Sequence, residues 1–286
     1  EVRSMKGMKR SLLCIFSVIL MCLFMNGIAC AERTLVFAVN ANWPPMQMKD
    51  SKGNVTGYEI DLLKAIAAEA GFKVKTVNVS WRNILNDLNA SKYDAVMASV
   101  SITDARKVKF SFSNPYFTAE QILLVPKKKA NAPLQGKTMA VFKLTTGAEA
   151  VRSTQGCNIT YYTVEETEQA FKDLSKGFVD GVLCDSPVAI SYAAKYNGKF
   201  AMKNDACALS KKSANEEYGI AVKKGDTETL DVINKGLKKV KEKGIEAKIK
   251  DKWFKEILMA TGGQTHDSMF ASEIVTGADN SPASAK

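Results

Sequence analysis

"GYEIDLLKAIAAEA", residues 57–70, predicts an amphipathic helix, and it sets the interpretation of the segments around it. Its aliphatic residues recur at helical spacing along one face, namely Ile60, Leu63, Ile66 and Ala67. Gly71 follows at the position where a glycine commonly ends a helix. The strand-like segment "KVKTVNV" (73–79) comes next, so helix and strand are joined by a very short loop.

The same alternation of strand and helix continues on both sides of this helix. "TLVFAVN" (34–40) reads as a strand before it, and helix "RNILNDLNAS" (82–91) is followed by the buried strand "YDAVMASV" (93–100). A second set of strands and helices begins at "TAEQILLVPKKK" (118–129). Such alternation predicts an α/β protein with largely parallel sheets and helices on their faces.

Composition narrows the function classes. The chain has 286 residues, 46% of them hydrophobic and 24% charged, enough to bury the cores of one or two domains. Its formal charge of +10 is scattered or concentrated in residues 234–253, which we interpret as one basic, solvated helix face. No nucleic-acid motif accompanies that charge, so we expect no nucleic-acid partner.

Metal and cofactor chemistry has little support in the sequence. His266, close to the C-terminal end, is the only histidine, and no Cys/His spacing indicates a metal site. We therefore expect no metal, no cofactor and no histidine-dependent nucleophilic catalysis.

The first 31 residues are typical of an export signal. Basic residues precede an apolar run, residues 12–25, that contains one serine and is too short to span a bilayer, and "ACA" (29–31) supplies small residues for cleavage before Glu32. The alternatives are an uncleaved anchor and lipidation of Cys30. Removing residues 1–31 lowers the formal charge to +7.

Three cysteines remain after that cleavage, namely Cys157, Cys184 and Cys207. An oxidising compartment allows one disulfide and leaves one thiol, and the sequence leaves the pairing open.

Four motifs in register resemble one family. They are "GYEIDLLKAIAAEA", "YDAVMASVSITDARKVKFSFSNPYF" (93–117), "VDGVLCDSP" (179–187) and the late pair "EYGIAVKKGD" and "DKWF". Together they resemble the periplasmic amino-acid-binding proteins that feed ABC importers, the bacterial solute-binding proteins of family 3, and the resemblance runs from about residue 33 to residue 254.

The resemblance implies a two-lobed periplasmic-binding-protein fold, in which each lobe is a mixed sheet flanked by helices and two hinge crossings join the lobes. Lobe 1 would comprise residues 32–115 and 219–256, and lobe 2 residues 121–213. The hinge crossings would be residues 116–120 and 214–218. Residues 257–286, rich in small and polar types, are predicted to be a disordered tail.

The resemblance also implies which residues hold a ligand's α-carboxylate. Arg106 would grip it through the planar fork of its guanidinium, although taken alone this arginine is typical of a surface helix. Nearby, Ser101 would touch the ligand through its hydroxyl or amide, without assignment to either charged end, and Thr103 with Asp104 would cap the following helix. In "KLTTGAE" (143–149), Thr146 would contact the carboxylate; Leu144 stands there in place of the usual glycine.

For the α-ammonium, the resemblance implies pairing with Asp185, whose alternative role is to cap the following helix. Ala98, beside Ser99 at the same strand end, would accept from the ammonium through its backbone carbonyl. A dry cleft has to pair both ligand charges, because an unpaired buried charge is costly.

The side-chain end of the site is assigned on the same basis. Trp43 and Trp81 would form aromatic walls, and Phe142 would make this end more apolar. Asn40 stands where many relatives that bind basic or amide ligands carry Asp, which favours an uncharged polar or aromatic amino acid.

These observations predict a periplasmic, monomeric protein that binds a free L-amino acid without turnover and delivers it to a membrane permease. One alternative is an enzyme of the same fold resembling the cyclohexadienyl (prephenate) dehydratases, with a cleft carboxylate as general acid. A second is a ligand-sensing subunit for a membrane receptor.

Overall fold

A computed structural model describes residues 33–151, 156–203 and 216–261 of the chain. No helix within these ranges has the length and the apolar character needed to cross a membrane. The predicted signal peptide, Cys207 and residues 262–286 of the predicted tail lie outside the described ranges. The strands are β1 Thr34–Val39, β2 Met48–Lys49, β3 Val55–Thr56, β4 Lys73–Asn78, β5 Ala95–Val96, β6 Phe110–Phe112, β7 Phe117–Ala119, β8 Gln121–Pro126, β9 Thr138–Phe142, β10 Asn158–Tyr162, β11 Gly181–Asp185, β12 Phe200–Lys203, β13 Glu216–Tyr218 and β14 Ala221–Lys223.

Helices separate most of these strands. They are α1 Tyr58–Ala70, α2 Trp81–Asn89, α3 Asp104–Lys109, α4 Thr146–Ala150, α5 Thr167–Lys176, α6 Ser186–Lys195, α7 Thr227–Glu242 and α8 Ile245–Ala260. The helix predicted from residues 57–70 is α1, and Gly71 ends it in the left-handed conformation at φ 80°.

Two five-stranded sheets form the two lobes, as predicted. The sheet of lobe 1 has the order β4-β1-β5-β14-β6, and that of lobe 2 has the order β10-β9-β11-β8-β12. Each sheet is mixed, because β14 in lobe 1 and β8 in lobe 2 run antiparallel to both of their neighbours. The other pairings, β1 with β4 and β5 and β9 with β10 and β11, are parallel.

The two segments that connect the lobes pair with each other. Strand β7 lies antiparallel to β13, with Phe117 opposite Tyr218 and Ala119 opposite Glu216. These strands fall on the predicted crossings, of which residues 214–215 lie outside the described ranges.

An aromatic cluster anchors this ladder to the C-terminal helix. Phe117 stacks on Tyr218 and on Phe254, with ring centroids 5.8 Å and 5.7 Å apart. Tyr58 of α1 meets both Phe117 and Phe254 edge-on. Phe254 is 1% exposed, so the "DKWF" motif supplies a core residue next to the crossings.

The basic C-terminal segment differs from the sequence-based interpretation. Residues 234–253 belong to two helices, α7 and α8, because the chain turns at Gly244 with φ 63°. A left-handed residue cannot continue a right-handed helix, and glycine adopts that conformation at no steric cost. Helix α8 continues to Ala260, into the segment predicted to be disordered.

The described cysteines have different states. Cys157 is disulfide-bonded, whereas Cys184 is a free, buried thiol. Burial raises the pKa of Cys184 well above its ordinary value, which keeps the thiol neutral.

Candidate functional site

A cleft lies between the lobes. Its lining residues come from both lobes, and they are Asn40, Trp43, Gln47, Glu59, Trp81, Ala98, Ser99, Ser101, Arg106, Thr145, Thr146, Val164 and Asp185. Strand ends and helix starts supply most of these side chains. This is the usual position of ligands in open α/β sheets.

The structure brings nine of the ten sequence-predicted site residues to this cleft. Phe142 is the exception, because it is 1% exposed and meets Trp43 edge-on with ring centroids 5.1 Å apart. It therefore supports an aromatic wall from behind instead of forming one. The sequence analysis missed four lining residues, Gln47, Glu59, Thr145 and Val164.

Arg106 reaches the cleft from the short helix α3. Thr103 Oγ1 accepts from the Arg106 backbone N–H at 3.2 Å, which confirms the predicted capping role of Thr103. The guanidinium Nη1 donates to the carbonyl of Ser101 at 2.9 Å, and the guanidinium carbon Cζ lies over the ring of Trp81, 5.8 Å from its centroid. Burial lowers the pKa of Arg106, while the negative charges of Glu149, Glu216 and Asp185 act in the opposite direction and raise it.

Asp185 faces the cleft from the end of β11 in lobe 2. Its side chain does not cap α6, so the alternative role considered for this aspartate is absent. Instead the carboxylate accepts from Trp43 Nε1 at 3.3 Å, from the Tyr218 hydroxyl and from Gln121 Nε2. Burial and the nearby charge of Glu216 raise the pKa of Asp185 to about 7.

The end of β5 turns sharply at the cleft floor. Ser99 has φ 50°, and Glu59 Oε1 accepts from its backbone N–H at 2.7 Å and its hydroxyl at 3.1 Å. Burial raises the pKa of Glu59 to about 7, and Glu59 Oε2 is buried with no hydrogen-bond partner among the described residues. Glu59 therefore holds the turn that presents Ala98 and Ser99 to the cleft.

The hydroxyls of Ser101 and Thr146 meet on one residue that the sequence analysis missed. Ser101 Oγ donates to Glu216 Oε2 at 2.6 Å, and Thr146 Oγ1 donates to the same oxygen at 2.7 Å. Glu216 is buried, and its other oxygen accepts from Gln121 Nε2 at 3.2 Å. The only sequence signal for it was its position just before the "EYGIAVKKGD" motif.

Leu144 adopts the conformation that a glycine would favour. Its φ is 63°, and its side chain is 58% exposed, so the loop keeps a glycine-like shape with a leucine in it. The Leu144 carbonyl accepts from Trp81 Nε1 at 3.2 Å. This bond fixes the plane of the second aromatic wall.

Asn40 is held from the opposite lobe. Its Nδ2 donates to the Val79 carbonyl at 2.9 Å and to Glu165 Oε1 at 3.2 Å. Glu165 Oε1 also accepts from Ser80 Oγ at 3.0 Å and from the Trp81 backbone N–H at 2.8 Å. Partial burial opposes ionisation here, yet these hydrogen bonds lower the pKa of Glu165.

The charges of the cleft suit a zwitterion. Arg106 offers a fixed cation on the lobe 1 side, and Asp185 offers a carboxylate on the lobe 2 side. Within the described residues, no group of three His, Cys, Asp or Glu side chains is arranged to hold a metal ion.

Comparison with known sequences gives one family. The model of bacterial extracellular solute-binding proteins, family 3, matches residues 35–256. A probable histidine-binding protein of Neisseria gonorrhoeae is 37% identical over 222 residues, covering 76% of this chain and 81% of that protein. An L-cystine-binding protein of Escherichia coli strain K12 is 27% identical over 227 residues, covering 77% and 82%.

Solved structures agree with this match. An ancestral arginine-binding protein bound to arginine superposes with a TM-score of 0.70 at 34% identity, covering 78% of this chain and 99% of that one. An ancestral amino acid-binding protein, a precursor of cyclohexadienyl dehydratase, superposes with a TM-score of 0.69 at 34% identity, covering 77% and 95%. These likenesses confirm the predicted two-lobed fold.

Proposed function

Because this chain belongs to the bacterial extracellular solute-binding proteins of family 3, we propose that it binds one free L-amino acid between its lobes and delivers it to the permease of an ABC importer. The observation that carries the proposal is the pair Arg106 and Asp185, which line one cleft from opposite lobes. A free α-amino acid supplies the carboxylate and the ammonium that these two charges require.

Each lobe provides part of the ligand's surroundings in this proposal. Arg106 binds the α-carboxylate through its two-pronged fork, and Asp185 pairs with the α-ammonium. The turn at Ser99 aims the Ala98 carbonyl at the ammonium. Closure then follows from contacts that the ligand makes only when both lobes surround it.

For the side chain we propose an uncharged polar or aromatic amino acid, with histidine as the first candidate. Trp43 and Trp81 offer flat apolar surfaces to a ring. The amide of Asn40 carries no charge to attract a basic side chain, and its Nδ2 is already bonded to Val79 and Glu165. Imidazole is aromatic and largely neutral at pH 7, and the Neisseria relative described above is a probable histidine-binding protein.

A thermal-shift screen of the proteinogenic amino acids, followed by calorimetry, tests both levels of this proposal. Histidine should stabilise the mature protein and bind with a stoichiometry near one. Tighter binding of arginine or lysine than of every uncharged amino acid would overturn the side-chain assignment alone. Stabilisation by none of them would overturn the function.

The Arg106→Ala variant tests the carboxylate assignment, with Lys107→Ala as its matched control on the same helix. Lys107 is exposed, so its loss should leave binding unchanged. Losing the bidentate contact should lower the affinity for every ligand by about 100-fold or more. Normal binding by Arg106→Ala would show that the carboxylate is held elsewhere.

Location and partner belong to the same proposal. We expect export to the periplasm with cleavage before Glu32, so N-terminal sequencing of the secreted protein should begin at Glu32. We also expect a monomer in light scattering, uptake of the ligand that depends on this protein, and no conversion of prephenate to phenylpyruvate.

A further inference from the structure

Glu216 stands behind the cleft lining, at the start of the crossing strand β13. Its Oε2 accepts two short hydrogen bonds, from Ser101 Oγ at 2.6 Å and from Thr146 Oγ1 at 2.7 Å. Both lengths lie within the usual range for a hydroxyl that donates to an oxygen acceptor. Both hydroxyls belong to residues that line the cleft, whereas Glu216 does not.

A hydroxyl has one proton to donate and two lone pairs that accept. Because Ser101 and Thr146 give their protons to Glu216, only lone pairs remain for a molecule in the cleft. Lone pairs accept from an ammonium and repel a carboxylate. The two hydroxyls therefore suit the amine of a ligand, whereas the resemblance implies that Thr146 contacts the carboxylate.

We propose that Glu216 is a positioning residue that fixes Ser101 and Thr146 as hydrogen-bond acceptors and so makes the cleft select ligands that carry an α-ammonium. The inference rests on the proposed amino-acid binding and names how the amine is recognised. Asp185 supplies the opposite charge, and the oriented hydroxyls supply further acceptors around the same group.

A second contact ties Glu216 to the ammonium partner. Gln121 Nε2 donates both to Glu216 Oε1, at 3.2 Å, and to Asp185 Oδ1. One amide thus holds the two carboxylates in a common framework. Gln121 therefore couples the position of Glu216 to that of Asp185.

The arrangement also couples amine recognition to closure. Ser101 belongs to lobe 1 and Thr146 to lobe 2, while Glu216 lies on the ladder between them. Both hydroxyls reach the same oxygen only while the lobes are together. Opening the cleft breaks at least one of the two hydrogen bonds to Glu216, so both hydroxyls are held as acceptors only in the closed form.

The test compares the bound amino acid with its desamino analogue, in which hydrogen replaces the amine, by calorimetry and by competition. Wild type should prefer the amino acid strongly. In Glu216→Ala both hydroxyls regain a free proton, so the preference should fall by about tenfold or more. The amino acid should bind more weakly, while the analogue should bind as before or better.

Two variants control this comparison. Glu217→Ala removes a neighbouring exposed glutamate and should leave the preference unchanged. Glu216→Gln keeps a carbonyl oxygen that accepts from both hydroxyls, so it should restore part of the preference. If Glu216→Ala does not fold, Thr146→Val removes one acceptor at nearly constant shape and should lower the preference in the same direction.

The contrary results are distinct. Equal weakening of the amino acid and its analogue, or an unchanged preference in Glu216→Ala, would show that Glu216 is merely structural. With Thr146→Val, the same two results would have the same meaning. If wild type binds no amino acid at all, the proposed function fails, because this comparison starts from a ligand that wild type binds.

Discussion

Replacing Glu165 by alanine should weaken the binding of every ligand by a similar factor, although Glu165 does not line the cleft. Its Oε1 reaches from lobe 2 to three donors of lobe 1, the Asn40 amide, the Ser80 hydroxyl and the Trp81 backbone N–H. Trp81 is the first residue of α2, and the Ser80 side chain does not cap that helix. Glu165 thus caps α2 from the opposite lobe, where the helix dipole favours a negative charge.

The size of the effect follows from these three contacts. Hydrogen bonds to a charged group contribute roughly 1.5–3 kcal/mol each when buried, but Glu165 is exposed and water replaces them on opening. We therefore assign about 1–2 kcal/mol to all three together. Since about 1.4 kcal/mol is tenfold, the ratio of closed to open protein should fall roughly 5- to 30-fold. The apparent dissociation constant should rise by that factor where the open form predominates without ligand.

Calorimetry measures the change in affinity, and stopped-flow fluorescence separates the rates. Because the contacts form on closure, the dissociation rate should rise while the association rate stays nearly constant. Glu242→Ala, an exposed change on α7, is the matched control and should behave as wild type. Affinities within about twofold of wild type, or weakening for a single ligand only, would refute the assignment of Glu165 to closure.

Three further predictions concern the carboxylate and the aromatic walls. With a ligand whose side chain does not titrate, the affinity should increase as the pH rises toward about 7 and then level off. The reason is that Asp185, whose pKa is about 7, has to be ionised to pair with an ammonium. Calorimetry from pH 5.5 to 8 measures this profile, and Asp185→Asn should flatten it. Trp43→Phe removes the Nε1 donor that lowers the pKa of Asp185, so the midpoint of the same profile should move to higher pH; an unmoved midpoint would contradict this role. Phe142→Ala should lower the free energy of unfolding by about 3–5 kcal/mol, since Phe142 is fully buried against Trp43. Chemical denaturation measures this loss, and a loss below about 1 kcal/mol would place Phe142 on the cleft surface.

Local patterns predicted the helices well. The apolar spacing in residues 57–70 and Gly71 place α1 correctly, because helical periodicity and a glycine stop depend on near neighbours. The same pattern did not reveal the break at Gly244, since a glycine inside a basic helical pattern gives a weak local signal.

The strand leading into the site was harder to predict. Residues 93–100 are apolar enough for a long strand, yet only Ala95–Val96 pair as one. The chain leaves the sheet where Ser99 takes a positive φ, and the carboxylate of Glu59, 40 residues away, holds it there. A contact between distant segments overrides strand propensity at this point.

Two of the missed residues, Glu216 and Glu165, have contacts that depend on how the lobes meet. Glu216 is 115 residues from Ser101, and Glu165 is 125 residues from Asn40. No local pattern relates such pairs, so their roles follow only from the three-dimensional structure. The positions of Arg106 and Asp185 at the cleft could be predicted because both residues lie within the motifs on which the family resemblance rests.

Calorimetric titration of the mature protein with one free amino acid, its N-acetyl derivative and its amide tests the central claim most directly. If Arg106 holds the α-carboxylate and Asp185 the α-ammonium, the free amino acid should bind one-to-one, and blocking either end should abolish measurable binding. Equal binding of a blocked derivative, or no binding of any proteinogenic amino acid, would contradict the account.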